Sequence, residues 1–178
     1  MGHPRRLPAL LTLTAHSVWS AGNIHEALDI VVEVHRAEYN LWRVGICSVV
    51  GFRRTAVALW SLMETAFGAG IQITIDPSTE PNMANAVLVA QRGFSYHTGD
   101  FENPLFGDVL KGEGVASLLF LPLVDETGMT AGLLTLASAA PDAFAPADLA
   151  YFEGLGRATE AKLLSMLSEA DLRTAPSI

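Results

Sequence analysis

The chain has 178 residues, 50% of them hydrophobic, and carries 19 Asp and Glu against 11 Lys and Arg, a formal net charge of -8. This length fits one domain with a substantial hydrophobic core. Nucleic-acid affinity depends largely on clustered cations, so the acidic balance argues against direct binding of DNA or RNA. The mean hydropathy is +0.32, yet the longest apolar run, near Val115 to Val124, is far shorter than the ~20 residues that a membrane-spanning helix needs. We expect no membrane span, and apolar surface that a homodimer interface or neighbouring domains would cover.

The first 22 residues are predicted to form an N-terminal helix. Arg5-Arg6 followed by apolar residues is similar to the start of a secretory signal, but polar residues interrupt the apolar stretch. Apolar side chains instead recur at helical spacing on one face, at Leu7, Leu10, Leu11 and Val18. We expect this helix to take part in dimerisation or to link the domain to another.

A second helix and a series of strands follow. Asn23 and Glu26 form a capping-box pattern before apolar positions at helical spacing from Ile24 to His35. Apolar runs separated by turn residues then predict about six strands, at Val44–Phe52, Ala56–Met63, Ile71–Ile75, Phe94–Thr98, Val115–Val124 and Ala131–Ala137. A helix is expected over Asn82–Gln91, and a last helix after Phe144. Strands grouped between helices indicate an α+β fold with a central antiparallel sheet.

Short motifs in the second half of the chain match a known family. Ser117 to Leu123 is similar to a strand written S-l-l-x-x-P-l, and Gly132 to Leu136 is similar to a strand written G-v-l-x-l. Phe144 with Asp148 matches an F-x-x-x-D entry into the last helix, and Gly93 to Asp100 stands where the family usually has a glycine and an aspartate seven residues apart. In this order and spacing, the chain resembles a GAF domain from about Ile24 to Leu164.

The resemblance implies a GAF/PAS-like fold with a central antiparallel sheet sandwiched by helices and with long terminal helices. It divides the chain into an N-terminal helix (1–22), a sensor domain (23–164), and a C-terminal helix end and tail (165–178). GAF domains are ligand-sensing and dimerising modules of signalling proteins, so the resemblance implies a regulatory domain rather than an enzyme. Its output domain, in cis or in trans, stays open among a kinase, a cyclase, a phosphodiesterase and a transcription activator.

Cys47 is the only cysteine of the chain. One branch of the GAF family is a free methionine-(R)-sulfoxide reductase, whose chemistry needs a nucleophilic thiolate and a resolving cysteine. A single cysteine supplies no such pair, so this enzyme is a distant alternative and Cys47 is expected to be a buried structural thiol. A lone cysteine also excludes an intrachain disulfide framework and fits a reducing compartment, here the cytoplasm.

Two groups of residues are candidates for ligand binding. The first combines a histidine and two carboxylates with aromatic rings, on a strand and loop that wall the ligand pocket in GAF domains: His97, Asp100, Phe101, Phe106 and Asp108. The second lies on the inward side of the central strands: Phe52, Trp60 and Thr135. The alternative is a solvated histidine and ordinary core residues. No cofactor or metal site is identified, haem binding through His97 has no further support, and the cyclic-nucleotide signature N-K-x-F-D-E is matched only by Phe144 and Asp148, so the small-molecule ligand stays unidentified.

The last helix carries a heptad pattern. Residues from Leu149 to Ala170 step by alternating intervals of three and four, which is typical of a coiled-coil seam. With the N-terminal helix, this seam predicts a homodimer interface at Leu7, Leu10, Leu11, Val18, Leu149, Phe152, Leu163 and Met166. The alternative is that the helix covers one face of the sheet. Two functions remain as hypotheses, a ligand-regulated sensor and a ligand-free degenerate GAF domain that serves as a dimerisation scaffold.

Overall fold

A computed structural model describes the backbone of residues 7–53, 56–61, 71–75, 96–98, 114–141 and 143–174, and the side chains of 8–41, 44–46, 114–141, 143–146 and 148–168. The predicted helix at Asn82–Gln91 lies outside these residues. The described elements, in chain order, are α1 (Leu7–Ser20), α2 (Ile24–Tyr39), β1 (Leu41–Arg53), β2 (Ala56–Ser61), β3 (Ile71–Ile75), β4 (Tyr96–Thr98), β5 (Ser117–Val124), β6 (Thr130–Ser138) and α3 (Pro146–Thr174).

Local signals fix both ends of α2. The Asn23 side chain accepts a hydrogen bond from the Glu26 N–H at 3.0 Å, and the Glu26 carboxylate accepts one from the Gly22 N–H at 2.7 Å. These bonds satisfy donors that a helix start leaves unpaired and confirm the predicted cap. At the other end, Asn40 adopts a left-handed conformation with φ of 47°, which turns the chain directly into β1.

The described strands form a 6-stranded sheet in the order β3-β2-β1-β6-β5-β4, and every neighbouring pair is antiparallel. The β5–β6 hairpin closes on a polar turn in which the Asp125 carboxylate accepts hydrogen bonds from the Thr127 N–H, the Thr127 hydroxyl and the Met129 N–H. Gly128 has φ of 81°, a conformation that glycine adopts without strain. The antiparallel sheet and the helices packed on it confirm the predicted α+β fold.

The helices of the described part of the chain pack on one face of the sheet. Alternate strand residues share one hydrophobic core with buried residues of α1, α2 and α3: Val44, Ile46, Leu119, Leu121, Leu123, Leu134 and Leu136. The intervening residues of β5 and β6, among them Phe120 and Leu133, are buried as well. Because side chains alternate across a strand, the two central strands are covered on both faces.

The last helix is longer than the sheet requires. α3 has 29 residues and begins at Pro146, a residue favoured at the first helical position because it lacks an N–H. Its inner side is buried as far as Leu167. None of the helices in the described part of the chain is long and apolar enough to cross a membrane.

Candidate functional site

The sheet face that points away from the helices is the first candidate site, and we call it the distal face. In β5 and β6, and at the position of Gly45 in β1, it consists of buried residues: Gly45, Leu118, Phe120, Leu133, Thr135 and Ala137. Across the strands, Thr135 is in register with Gly45 on one side and with Phe120 on the other. The middle of the distal face therefore places a hydroxyl between a position without a side chain and an aromatic ring.

The hydroxyl of Thr135 is the exception on this apolar face. The residue is 2% exposed, and Thr135 Oγ1 has no hydrogen-bond partner among the described residues. A buried hydroxyl without a partner costs about 1–3 kcal/mol relative to one that is paired, and most buried polar groups are paired in native proteins. The Thr135 hydroxyl is therefore available to a molecule that binds on the distal face.

A second polar group lies on the other side of the sheet, where α1, α2 and α3 meet. His35 Nδ1 lies 2.7 Å from the carbonyl oxygen of Val31, and His35 Nε2 lies 2.6 Å from the hydroxyl of Tyr151. The side chain of Thr14 is a further hydrogen-bond partner of that hydroxyl. His35 and Thr14 are fully buried and Tyr151 nearly so, so three helices share one buried hydrogen-bonded chain.

Aromatic rings surround this chain. The rings of Tyr151 and Phe152 lie with centroids 5.6 Å from that of His35, and the ring of Tyr39 lies 6.0 Å away. Burial lowers the pKa of His35, although the Val31 carbonyl and the charge of Glu38 act in the opposite direction. Burial also raises the pKa of Tyr151 to about 12. At neutral pH the cluster is therefore uncharged, with the imidazole as acceptor and the phenol as donor.

The family model described as GAF domain matches residues 23–163 of the chain. The chain belongs to the GAF domain family. Proteins of this family are regulatory sensor domains of signalling proteins and are generally not catalytic. No curated protein matches the chain.

Solved structures share the GAF fold of this chain. The GAF domain of an Acinetobacter phosphoenolpyruvate-protein phosphotransferase superposes with a TM-score of 0.58 at 18% identity, covering 97% of this chain and 98% of that one. The GAF domain of the corresponding Coxiella burnetii protein gives 0.60 at 14% identity, covering 98% and 99%. The chromophore-binding domain of an unusual bacteriophytochrome from R. palustris gives 0.60 at 8% identity, covering 96% of this chain and 64% of that one. Identities this low support a common fold and no shared ligand.

Among the predicted ligand-binding residues, Thr135 is the one whose side chain is described. His97 lies in β4 with its backbone in register with Leu119, Phe52 lies in β1 opposite Val57, and Trp60 lies in β2 opposite Ser48. The remaining four lie outside the described residues: Asp100, Phe101, Phe106 and Asp108. Seven of the eight assignments therefore stay predictions. Cys47 lies in β1 in register with Leu133, and its side chain is outside the described set.

The predicted dimer residues divide into two groups, and one of them requires a correction. Val18, Phe152, Leu163 and Met166 are buried within a single chain, so they leave no surface for a second chain. The physical reason is that α3 lies on the sheet: a Cβ placed on Gly156, a member of the same heptad seam, would lie 3.8 Å from Leu121 Cβ. The other group, Leu10, Leu11 and Leu149, is only partly buried, and the side chain of Leu7 is not described.

The buried chain of Thr14, His35 and Tyr151 was not predicted as a site. The helical spacing placed His35 on the apolar face of α2, and the structure confirms that position. A histidine within an otherwise apolar stripe signals a buried polar contact, because its ring must find hydrogen-bond partners there. Nothing in the sequence identifies those partners, since they lie on helices at the two ends of the chain.

Proposed function

We propose that this GAF domain is a small-molecule sensor that binds its ligand on the distal face of the sheet and regulates an output domain in cis or in trans. The output domain would be a kinase, a cyclase, a phosphodiesterase or a transcription activator, and the protein would act in the cytoplasm as a homodimer. The observation that carries the proposal is the buried hydroxyl of Thr135 without a partner among the described residues. Membership in a regulatory sensor family supports it.

The chemistry around Thr135 favours a particular kind of ligand. Gly45 supplies no side chain beside the hydroxyl, and Phe120 supplies an aromatic surface on the other side. A ligand that fits this row would be mostly apolar and would carry one polar atom able to exchange a hydrogen bond with Thr135 Oγ1. Pockets of this composition, with few polar groups on apolar walls, are typical of small-molecule sites.

The strand that carries Thr135 also offers a route to the helices. Leu134 and Leu136, its neighbours in β6, belong to the core shared with α2 and α3, and β6 leads into α3 through a short connection. A ligand that shifts Thr135 would shift these two leucines and hence the packing of α3. A change in α3 is what an attached output domain would detect.

The homodimer is supported by apolar surface on α1. Leu13 is 60% exposed and Trp19 is 52% exposed, and both lie outside the buried group of predicted interface residues. Large exposed apolar side chains on one helix are typical of an interaction surface. We therefore place the dimer contact on the outer side of α1 rather than on the predicted heptad seam.

The direct test is denaturing extraction of the purified protein, followed by mass spectrometry for a stoichiometric small molecule. We expect a compound in the wild type and a strongly reduced amount in Thr135→Val, which keeps the side-chain shape but removes the hydroxyl. Thr159→Val is the matched control, because Thr159 is equally buried but its hydroxyl donates to the Leu155 carbonyl at 2.8 Å within α3. Equal recovery from both variants would contradict the role of Thr135.

The burial of the distal face also favours a second function. Leu118, Phe120, Leu133 and Ala137 are at most 5% exposed in the single chain, as expected of a pocket filled by the domain's own side chains. The domain would then be a degenerate GAF domain that acts as a dimerisation scaffold. An extraction without any small molecule, from protein that sediments as a dimer, would favour this scaffold function over the sensor.

A further inference from the structure

The hydrogen-bonded chain between the helices has a fixed direction. A carbonyl oxygen can only accept, so the contact of 2.7 Å with Val31 requires a proton on His35 Nδ1. In the neutral ring Nε2 is then an acceptor, and Tyr151 must donate to it across 2.6 Å. The Tyr151 oxygen in turn accepts from Thr14. Donation therefore runs from α1 through α3 to α2, and each link orients the next.

Thr14 stands at the only point in this chain where a proton has two acceptors. Its hydroxyl lies 2.8 Å from the Leu10 carbonyl, one turn earlier in α1, as well as beside Tyr151. When the Thr14 proton points at Tyr151, α1 is bonded to the other two helices. When it points at Leu10, α1 satisfies its own hydroxyl and the bond between helices is lost.

Helix α1 depends on α2 and α3 for its position. A short connection, Ala21 to Asn23, joins it to α2, and its described part contains neither Asp, Glu, Lys nor Arg that would form an ion pair. Near its end, Trp19 Nε1 donates to the Ala158 carbonyl of α3 at 2.8 Å. The Thr14 contact is the second polar bond from α1 to α3, and it is buried whereas the Trp19 bond is exposed.

We propose that Tyr151 is a positioning residue that latches α1 onto α2 and α3 through its bonds to Thr14 and His35. With the latch closed, α1 is held in one position against the sheet domain. With the latch open, α1 moves as a unit and changes the surface that includes Leu13 and Trp19. This role concerns the opposite side of the sheet from the ligand site, so it does not depend on the proposed function.

The test compares matched threonines of α1. Thr14→Val removes the hydroxyl that reaches Tyr151, whereas Thr12→Val removes an exposed hydroxyl that bonds only to the Pro8 carbonyl, at 3.1 Å. The reporter is the indole N–H signal of Trp19 in nitrogen-15 spectra, assigned with Trp19→Phe, together with amide hydrogen exchange. For Thr14→Val we expect a shifted Trp19 signal and exchange from Leu10 to Val18 that is faster by about tenfold, the effect of one lost buried hydrogen bond.

The same change at the centre of the latch should have the same effect. Tyr151→Phe is expected to shift the Trp19 signal and speed exchange in α1 while leaving β5 and β6 protected. Tyr39→Phe is the control, because the Tyr39 hydroxyl bonds to Asp148 and contacts no residue of the latch through that oxygen. Thr14→Ser, which restores the hydroxyl, should behave as the wild type.

The outcomes separate a latch from an ordinary core contact. An unchanged Trp19 signal in both Thr14→Val and Tyr151→Phe would overturn the proposal. So would equal acceleration of exchange in α1 and in the sheet, since this would mean general loss of stability. If Tyr151→Phe does not fold, the comparison of Thr14→Val with Thr12→Val and Thr14→Ser still decides the question.

Discussion

The carboxylate of Glu160 in α3 accepts a hydrogen bond from the backbone N–H of Val124 at 3.2 Å. Val124 is the last residue of β5 and lies where the register between β5 and β6 shifts. A helix side chain thus satisfies a strand amide at an irregular point in the ladder, which fixes α3 along the strand direction.

Replacing Glu160 should therefore weaken the contact between α3 and the sheet. We expect Glu160→Ala to lower the free energy of unfolding by about 1 kcal/mol, because the Val124 N–H loses its acceptor. Glu160→Gln keeps an acceptor oxygen and should cost less. Urea unfolding of the three proteins measures the difference, and equal midpoints would show that water replaces the carboxylate without cost.

Thr135 and Thr159 should respond in opposite directions to the same substitution. Thr135→Val removes a buried hydroxyl that has no described partner, so in ligand-free protein it should raise the free energy of unfolding by about 1 kcal/mol. Thr159→Val removes a hydroxyl that is bonded to Leu155 and should be neutral or mildly destabilising. Thermal unfolding compares them, and a destabilised Thr135→Val would mean that its hydroxyl is paired.

Leu163 separates the corrected role of the heptad seam from the predicted one. Its side chain is 0% exposed in the single chain, so Leu163→Ala should lower the free energy of unfolding by about 2–5 kcal/mol, as for other buried leucines. The sedimentation coefficient of the folded variant should equal that of the wild type. Leu13→Glu on the exposed side of α1 should show the reverse, with little loss of stability and a shift toward monomer.

Local patterns predicted the local parts of the fold. The cap at Asn23 and Glu26 and the turn at Asp125 are determined by neighbouring residues, so the sequence contains all the information they need. The pairing of β1 with β6 joins Val44 to Leu136, and no local pattern specifies such a distant partner.

Periodicity also failed to identify what covers an apolar stripe. Heptad spacing in the last helix indicates an apolar face, but its own sheet and a second chain would both satisfy it. The structure shows that Phe152 and Leu163 face the interior of the chain itself. At the ligand site, the inward position of Thr135 was predictable from strand alternation. Its missing hydrogen-bond partner depends on the packing of neighbouring strands.

The buried imidazole of His35 should make stability depend on pH. Burial lowers the pKa of His35 in the folded protein, so the unfolded chain takes up this proton first as the pH falls below about 6.5. Stability from this source is intact above that pH and declines below it, until the folded state is protonated as well. Glu38 on α2 opposes the effect, and Tyr151 on α3 supplies the hydrogen bond that protonation would reverse.

His35→Gln should remove this part of the pH dependence. Between pH 7.5 and a pH ~2 units lower, the wild type should lose more free energy of unfolding than the variant, since only the wild type carries the histidine. Urea unfolding at both pH values gives the four numbers needed. A loss of equal size in both proteins would assign the acid sensitivity to other groups.

Two glycines of α3 should respond differently to alanine, because they face different neighbours. A Cβ on Gly156 would lie 3.8 Å from Leu121, which is ordinary contact, whereas a Cβ on Gly154 would lie 2.8 Å from Leu11 Cδ1 in α1. Alanine stabilises a helix interior by about 1 kcal/mol relative to glycine, so Gly156→Ala should be stabilising. Gly154→Ala gains the same helix preference but must displace Leu11, so it should gain less and shift the Trp19 indole signal. Adding Leu11→Ala to Gly154→Ala should restore that signal, and equal stabilisation by both alanines with an unchanged signal would mean that α1 does not pack closely at Gly154.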